Sequence, residues 1–581
     1  MKPRLPAPPA AAAAGVPSRR HRRKAPRERA LALLACLVAG AGAVWTAPGP
    51  AAAQQDPPPI LVTGMVHLDP FAAPPDSNVT LQNYAQHRSA MQWYIGFAGQ
   101  TGLRLSAQMT GVYAEACVRQ GHAADFAPFM PGGPHHLGTH LHANVKGAGP
   151  YAWRTLPQWA YSDPESVRRV MADNIPWVNA MFAANGHGSA DNWFFHGTHA
   201  SYPGMDTVLW CLDDPGSLPY DNCYTMAGGS RGRHFPYRGG FALGPGQTTD
   251  TSYVKLPEVG GIIGFDQVHG PEGMVYGTVP YQKRDFLRVY LEWREDARGG
   301  ERRAVRHFNW MIHPYQLTPA VLGTDGRSPR THIAELVQWL SDNFIERADE
   351  SGLVAARFAS TAEIRAAYET WAAAYPAEAA ALQATLAAGQ RPFHLPAILD
   401  RMETAYYAGA LTGAGSDLVV HQLTDRTTSA PLFVAWSRGG TVPLEPVLTG
   451  TFRVLHGDGA TEELPSGDVQ VGAEPVVLEY VSLVAVASGT DAGGSGVRLG
   501  PVRPSPVRAT ARVAFTLPQA AVVSLRLHDV AGRLAATLAS GPFPAGRHEV
   551  VMDAARLPAG VYLCRLGAGG MEAESRVVVV K

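Results

Sequence analysis

Between residues 60 and 380, short apolar runs alternate with helix-length stretches. "ILVTGMV" reads as a buried strand, and "NYAQHRSAMQWYIGFAGQTG" as a helix that stops at Gly102. "LRLSAQMT" and "LGTHLHANV" read as the next strands, and "PESVRRVMADNIPWVNAMFAANG" as the next helix. "GGIIGF" and "RHFNWMIHP" are strand-like, and "SPRTHIAELVQWLSDNFIERADESG" is a long amphipathic helix. Strands that alternate with helices imply parallel βα units. About 320 residues of this pattern suit a (β/α) barrel, regular or distorted.

The rest of the chain divides by composition. Residues 1–53 place a basic lead, "RRHRRKAPRER", before an apolar run and a small-residue stretch, the order of a secretory signal cleaved after Ala53. The apolar run is shorter than the ~20 residues a membrane span needs. Residues 54–59 are a linker and 60–380 the barrel. An Ala-rich stretch follows, and 381–415 reads as a helical connector. Short strands at turn-length spacing over 416–487 predict a small β-sandwich. Residues 488–500 are a flexible linker, and 501–581 are a second all-β sandwich. The predicted fold is therefore multidomain: a barrel followed by two small all-β domains.

The whole chain carries 49 basic and 49 acidic residues. Residues 1–53 hold nine basic and one acidic, so the remainder has 40 against 48 and a net charge of −8. Nothing in that balance argues for nucleic acid as a partner, and none is expected. Of the five cysteines, Cys211 and Cys223 sit in one loop-like stretch and are either a disulfide or two thiols, whereas Cys564 reads as a buried thiol.

Polar residues collect at strand ends. "VTGMVHLDP" closes the first strand with His67 and Asp69, which share a side of the strand and sit where a barrel keeps its active site. "HHLGTHLHANV" brings four histidines within eight positions, with His140 and His142 on one side. One aspartate and two imidazoles leave positions open for water, as a catalytic zinc site requires. Further on, "DNWFFHGTHASYPGMD" offers His196 and His199 beside Trp193, whose ring suits a sugar, and Arg238 is a candidate substrate clamp. Each of these also has a structural reading: a capping aspartate, a core histidine or a solvated polar loop.

In order and context the chain resembles the polysaccharide deacetylase-like group of the glycoside hydrolase/deacetylase β/α-barrel superfamily. "HLD" at 67–69, "HHLGTHLH" at 135–142, "HFNWMIHP" at 307–314 and "ARFASTAEIRAAYETW" carry the resemblance, which spans about residues 60–375. It implies a divalent metal, zinc by preference, on Asp69, His140 and His142, with His313 as general acid and His67 as a substitute base. Substrate contacts would come from Trp193, His196, His199 and Arg238. Leu68 stands where the family has a second acid, Asn144 where it has a second histidine, and His136 where it often has glutamate.

The last 80 residues, with "HDVAGR", "PAGRHEV", "LPAGVY" and a terminal lysine, resemble the C-terminal sorting domain of type IX secretion, itself similar to the Ig-like domain of flagellar hook-capping proteins. Met552 stands where that family has tryptophan. The resemblance implies an outer-membrane secretion machinery as partner and a secreted or cell-surface location. The function these features imply is a secreted metal-dependent hydrolase that deacetylates a polysaccharide or cell-wall glycan. Two alternatives remain. One is a metal-independent glycosidase using two of Glu258, Asp266 and Glu292. The other is a non-catalytic glycan-binding surface protein with a degenerate site.

Overall fold

The structure is a computed structural model. It describes residues 57–69, 81–140, 144–156, 163–188, 194–197, 222–225, 235–238, 254–256, 259–264, 267–269, 274–299, 304–387, 393–411, 417–428, 430–445, 447–448, 450–482, 497–518, 521–530, 534–543, 546–554, 557–568 and 571–580. The predicted signal at 1–53 lies outside these residues.

Strand β1 (Ile60–Leu68) is buried along its whole length, as its unbroken apolar run demands. It leads to helix α1 (Leu81–Thr101), β2 (Leu105–Met109) and α2 (Gly111–Gln120). Next come β3 (His136–His140), the hairpin β4 (Asn144–Lys146) and β5 (Trp153–Thr155), and α3 (Pro164–Ala184). Strands β6 (Phe194–Gly197) and β7 (Asn222–Thr225) follow. Two short hairpins come after them, β8 (Tyr237–Arg238) with β9 (Val254–Lys255) and β10 (Gln267–His269) with β11 (Met274–Tyr276). Helix α4 (Val279–Gly299), β12 (His307–Ile312), α5 (Pro329–Asn343), β13 (Ala356–Phe358) and α6 (Thr361–Ala374) complete this part.

The parallel sheet runs β12-β1-β2-β3-β6-β7, with β13 beside the first residues of β1. Outside β12, an extended segment hydrogen-bonds along its edge, Gly260 N donating to Asn309 O at 2.9 Å and Met311 N to Gly261 O at 2.9 Å. Among the described residues the sheet does not close into a barrel. Gly64 of β1 is required by packing, because a Cβ there would lie 2.5 Å from Tyr94 Oη, where α1 crosses the sheet. Trp310 Nε1 donates to that same hydroxyl at 3.1 Å.

Helices α7 (Pro376–Ala387) and α8 (Pro396–Glu403) lead into strand β14 (Ala405–Leu411), so the stretch read as a helical connector ends in a strand. A six-stranded antiparallel sheet follows. Its order is β14, β15 (Leu418–Asp425), β16 (Pro431–Ser437), β21 (Val476–Ser482), β18 (Thr451–Leu455) and β19 (Thr461–Pro465). A small pair, β17 (Val442–Pro443) and β20 (Gln470–Val471), accompanies it. Both faces of the sheet are apolar. Leu432, Val434 and Trp436 join the core of the parallel-sheet part, while Phe433 and Ala435 join a second core on the other face.

Buried charges fasten the two parts together. Arg284 Nη1 donates to Glu403 O at 2.6 Å and Ala405 O at 2.9 Å, and Arg294 Nη1 to Ala473 O at 2.6 Å. Glu292 accepts the backbone N–H groups of His394 (3.0 Å) and Leu395 (2.9 Å).

The C-terminal part has two sheets, one of β22 (Arg498–Leu499), β23 (Thr510–Leu517) and β26 (Gly546–Asp553), the other of β25 (Leu534–Phe543), β24 (Ala521–Asp529), β27 (Gly560–Ala568) and β28 (Met571–Val579). They share one core that holds Phe515, Leu525, Met552 and Leu566. Cys564 is a free buried thiol, as read from the sequence, and so is Cys117.

His421 gives this architecture a pH dependence. Its ring stacks on Trp436 at 5.1 Å and meets Tyr407 Oη at 3.2 Å. Burial, aided by Arg438, lowers its pKa to about 4. The unfolded chain takes up a proton near pH 6.5 that the folded chain refuses. Stability from this group is therefore complete above pH 6.5 and falls as the pH drops towards 4. Urea denaturation followed by tryptophan fluorescence is expected to show about 2 kcal/mol lost between pH 7 and pH 5 through this residue. A His421→Phe chain is expected to lose less over the same interval.

Candidate metal centre

The site forms where β1, β3 and β12 end. Register brings its side chains to one face of the sheet. Met65 is level with Ser106 and Met311, and Ser106 with His136. Two residues on, His67 is level with Gln108, and Gln108 with Gly138. The bond between Thr63 Oγ1 and Ser106 Oγ, 3.1 Å, lies on that same face. The end of β1 is held by the N-cap of α2: Thr110 donates to Leu68 O through its backbone N–H (3.2 Å) and its hydroxyl (2.8 Å). Leu68 is thus fixed between the two polar residues that flank it.

Asp69 lies between two imidazoles from other strands. His140 Nε2 is 3.1 Å from its Oδ1, and His313 Nε2 is 3.1 Å from its Oδ2. His67, Asp69 and His313 each offer a ligand atom, and these atoms lie within 4.8 Å of one another. The rings form a series. His140 stacks on His67 at 4.6 Å, and His67 meets His313 edge-on at 5.2 Å. His313 then stacks on Tyr315 at 5.0 Å. Asp69 is partly open to solvent, while His67 and His140 are buried.

The tautomer of His313 follows from its neighbours. Gln316 Oε1 accepts the backbone N–H of His313 at 2.9 Å, which identifies that atom as the oxygen. The same oxygen lies 2.8 Å from His313 Nδ1, so Nδ1 carries a proton. Nε2 is then the nitrogen that meets the carboxylate. A neutral imidazole would set its lone pair against an anionic oxygen, so the contact calls for a second proton or a cation between them. Histidines that ligate a metal through one ring nitrogen usually donate the other N–H to an oxygen, which fixes the tautomer and the ring orientation. Two or three imidazole nitrogens with one carboxylate suit zinc and similar divalent ions.

The four histidines of 132–145 have separate fates. His140 reaches the site. His135 accepts Leu105 N at 3.3 Å and lies against Phe129, and burial lowers its pKa to about 4. His136 binds Thr361 Oγ1 at 3.1 Å and so ties β3 to α6. His142 lies outside the described residues, as do Trp193, His199 and Cys211. His196 is level with His140 in the β3–β6 register, and Arg238 is in β8, but their side chains lie outside the described set. Glu292 is fully buried and spent on backbone donors, so it does not serve a glycosidase. Glu258 and Asp266 are not among the described residues.

Three residues near the site escape the sequence reading. His87 of α1 is buried, and its pKa falls to about 4 through burial, with Asp69 raising it and His313 lowering it. Its position in the α1 pattern resembles any core position. Gln316 is visible only as the residue three after His313, a spacing that fits a capping box once a turn is assumed. Gln108 is fully buried beside His67, and neither of its amide atoms has a hydrogen-bond partner among the described residues.

No family model matches the chain, and no curated protein does. Among solved structures, it is similar to one assigned as a polysaccharide deacetylase from Mycobacterium smegmatis, with 11% identity over 54% of this chain and 91% of that one, at a TM-score of 0.30. A stretch covering 26% of this chain overlaps 18% of dimeric latent PorU from Porphyromonas gingivalis, with 17% identity and a TM-score of 0.13. An engineered protein overlaps 90% of this chain and 94% of its own at 9% identity and a TM-score of 0.17. Overlaps this slight carry no argument, and the chemistry rests on the site itself.

The two glutamines should respond oppositely. Gln108→Leu removes a buried amide without a partner, whereas Gln316→Leu strands the His313 N–H. In chelator-treated chains, denaturation is expected to show Gln108→Leu as stable as the parent or more so. Gln316→Leu should lose about 1–3 kcal/mol.

Proposed function

We propose that this chain is a metal-dependent hydrolase that removes acetyl groups from a polysaccharide. The observation that supports this best is the Asp69 carboxylate at 3.1 Å from His313 Nε2, whose Nδ1 proton is committed to Gln316. His67, Asp69 and His313 would hold the ion, with zinc favoured by the donor set. A divalent cation bound there supplies Lewis acidity toward an acyl carbonyl and a more acidic water.

The chain's own residues do the rest. Gln316 keeps the His313 ring turned towards Asp69. Thr110 holds the end of β1, and so the positions of His67 and Asp69. His140 holds the Asp69 carboxylate at its other oxygen and packs flat on His67. Deacetylation also needs a proton for the departing amine or alkoxide. His140 is the imidazole that this ligand set leaves for that task. The assignment exchanges the roles that family resemblance implied, with His313 as ligand and His140 as proton carrier. Export and surface delivery through the C-terminal part belong to the same proposal and rest on its sorting-domain motifs.

The test is metal content of the full chain and its variants, measured after exhaustive dialysis, beside turnover of acetylated glycans. The parent is expected to hold about one ion per chain. Asp69→Asn and His313→Ala should lose it. His140→Gln should retain it while turnover falls about 10²–10⁴-fold. Retention in His313→Ala with loss in His140→Gln would restore the order implied by resemblance. A metal-free parent with an intact fold would remove the metal mechanism.

A further inference from the structure

Beside the metal centre stands Tyr315, the one exposed aromatic side chain among the residues whose burial is described, at 45% exposure. An exposed aromatic ring costs hydration unless something covers it. One side of this ring is occupied, stacked on His313 at 5.0 Å and 25°. A neighbouring edge meets His87 at 6.2 Å. What remains faces solvent directly over the end of β12.

The ring is also held still. The turn Pro314–Leu317 begins with a proline of fixed φ, and Gln316 ties it back to His313. Thr318 Oγ1 donates to Tyr315 O at 2.9 Å, and Gln316 N to His313 O at 3.0 Å. A rigid aromatic ring orders little on binding and so contributes most of its contact area to affinity.

A pyranose presents a flat face of C–H groups, and an aromatic face with its negative quadrupole suits that surface. We propose that Tyr315 is the platform on which a sugar ring of the substrate stacks, next to the residue that is deacetylated. The proposal rests on the hydrolase reading above and adds a sugar-binding position to it. The position also accounts for a polymer substrate: the ring binds a unit of the chain while the acetyl group enters towards Asp69.

The test compares two acetyl donors on the zinc-loaded full chain, hexa-N-acetylchitohexaose and 4-nitrophenyl acetate. The second has no sugar ring. For Tyr315→Ala, the ratio of kcat/KM for hexa-N-acetylchitohexaose to that for 4-nitrophenyl acetate is expected to fall about 10–100-fold, through KM for the oligosaccharide. Tyr315→Trp should restore most of the ratio. An unchanged ratio with both activities reduced would overturn the proposal, because the ring would then only be supporting His313. An unchanged ratio with both activities retained would overturn it as well. A parent chain that hydrolyses neither donor would instead overturn the reading on which the proposal rests.

Discussion

The parallel pairing of β1 is the constraint on which the site depends. One edge of the strand is taken by β12 from Leu61 to Val66, and the other by β13 and then β2. Its residues are buried throughout, so there is no solvent along it to satisfy a charge. A charged side chain can be accommodated only where the strand runs out, at Asp69 beside His67. Because β12 keeps the same register, its continuation brings His313 level with His67. Because β3 follows β2 in register, His140 arrives one row further on, beside Asp69. A slip of one residue in any of these ladders would turn the imidazole of that strand to the opposite face.

The charges of α4 solve a different problem. Arg284, Glu292 and Arg294 are buried, and buried ions do not repay their desolvation unless every lone pair and proton finds a partner. Arg284 pairs with Asp285 and Arg294 with Glu295 and Glu350, and all three side chains also bond main-chain groups of 394–405, Ser437 or Ala473. Backbone atoms cannot change rotamer, so each bond fixes a segment as well as a side chain. Such contacts specify where the second sheet sits on the first more than they add to stability. They also explain why a carboxylate such as Glu292, attractive as a catalytic acid in sequence, is committed elsewhere.

Local pattern made some of this legible. The run ILVTGMVHLD announces a buried strand with a polar end, and HFNWMIHP does the same for its neighbour. The pairing of these ends is long-range, but both stop at the same edge because parallel strands share a direction. Three features were not legible in the same way. His135 and His136 lie four or five positions before His140 and are of the same type, yet one supports Leu105 and the other Thr361. Only the fold separates them from His140. Residues 405–411, AYYAGAL, follow an Ala-rich helical stretch and share its local composition. Pairing with β15 overrides that local preference, as tertiary context does for strands. His87 enters the site from the middle of a helix, where no periodic signal marks it.

The ring series His140, His67, His313 and Tyr315 gives the site its direction. Flat stacking at both ends and an edge contact between His67 and His313 fill the space behind Asp69 with imidazole. The three imidazoles are buried, and only Tyr315 at the end of the series is exposed. Solvent therefore borders Tyr315 and, in part, Asp69, while the three imidazoles stay shielded from bulk water. That shielding strengthens the field between carboxylate and imidazoles, since the same charges interact far more strongly away from solvent. It also restricts what reaches them. Access from solvent therefore lies on the Tyr315 side, over the surface that the turn at 314–317 presents.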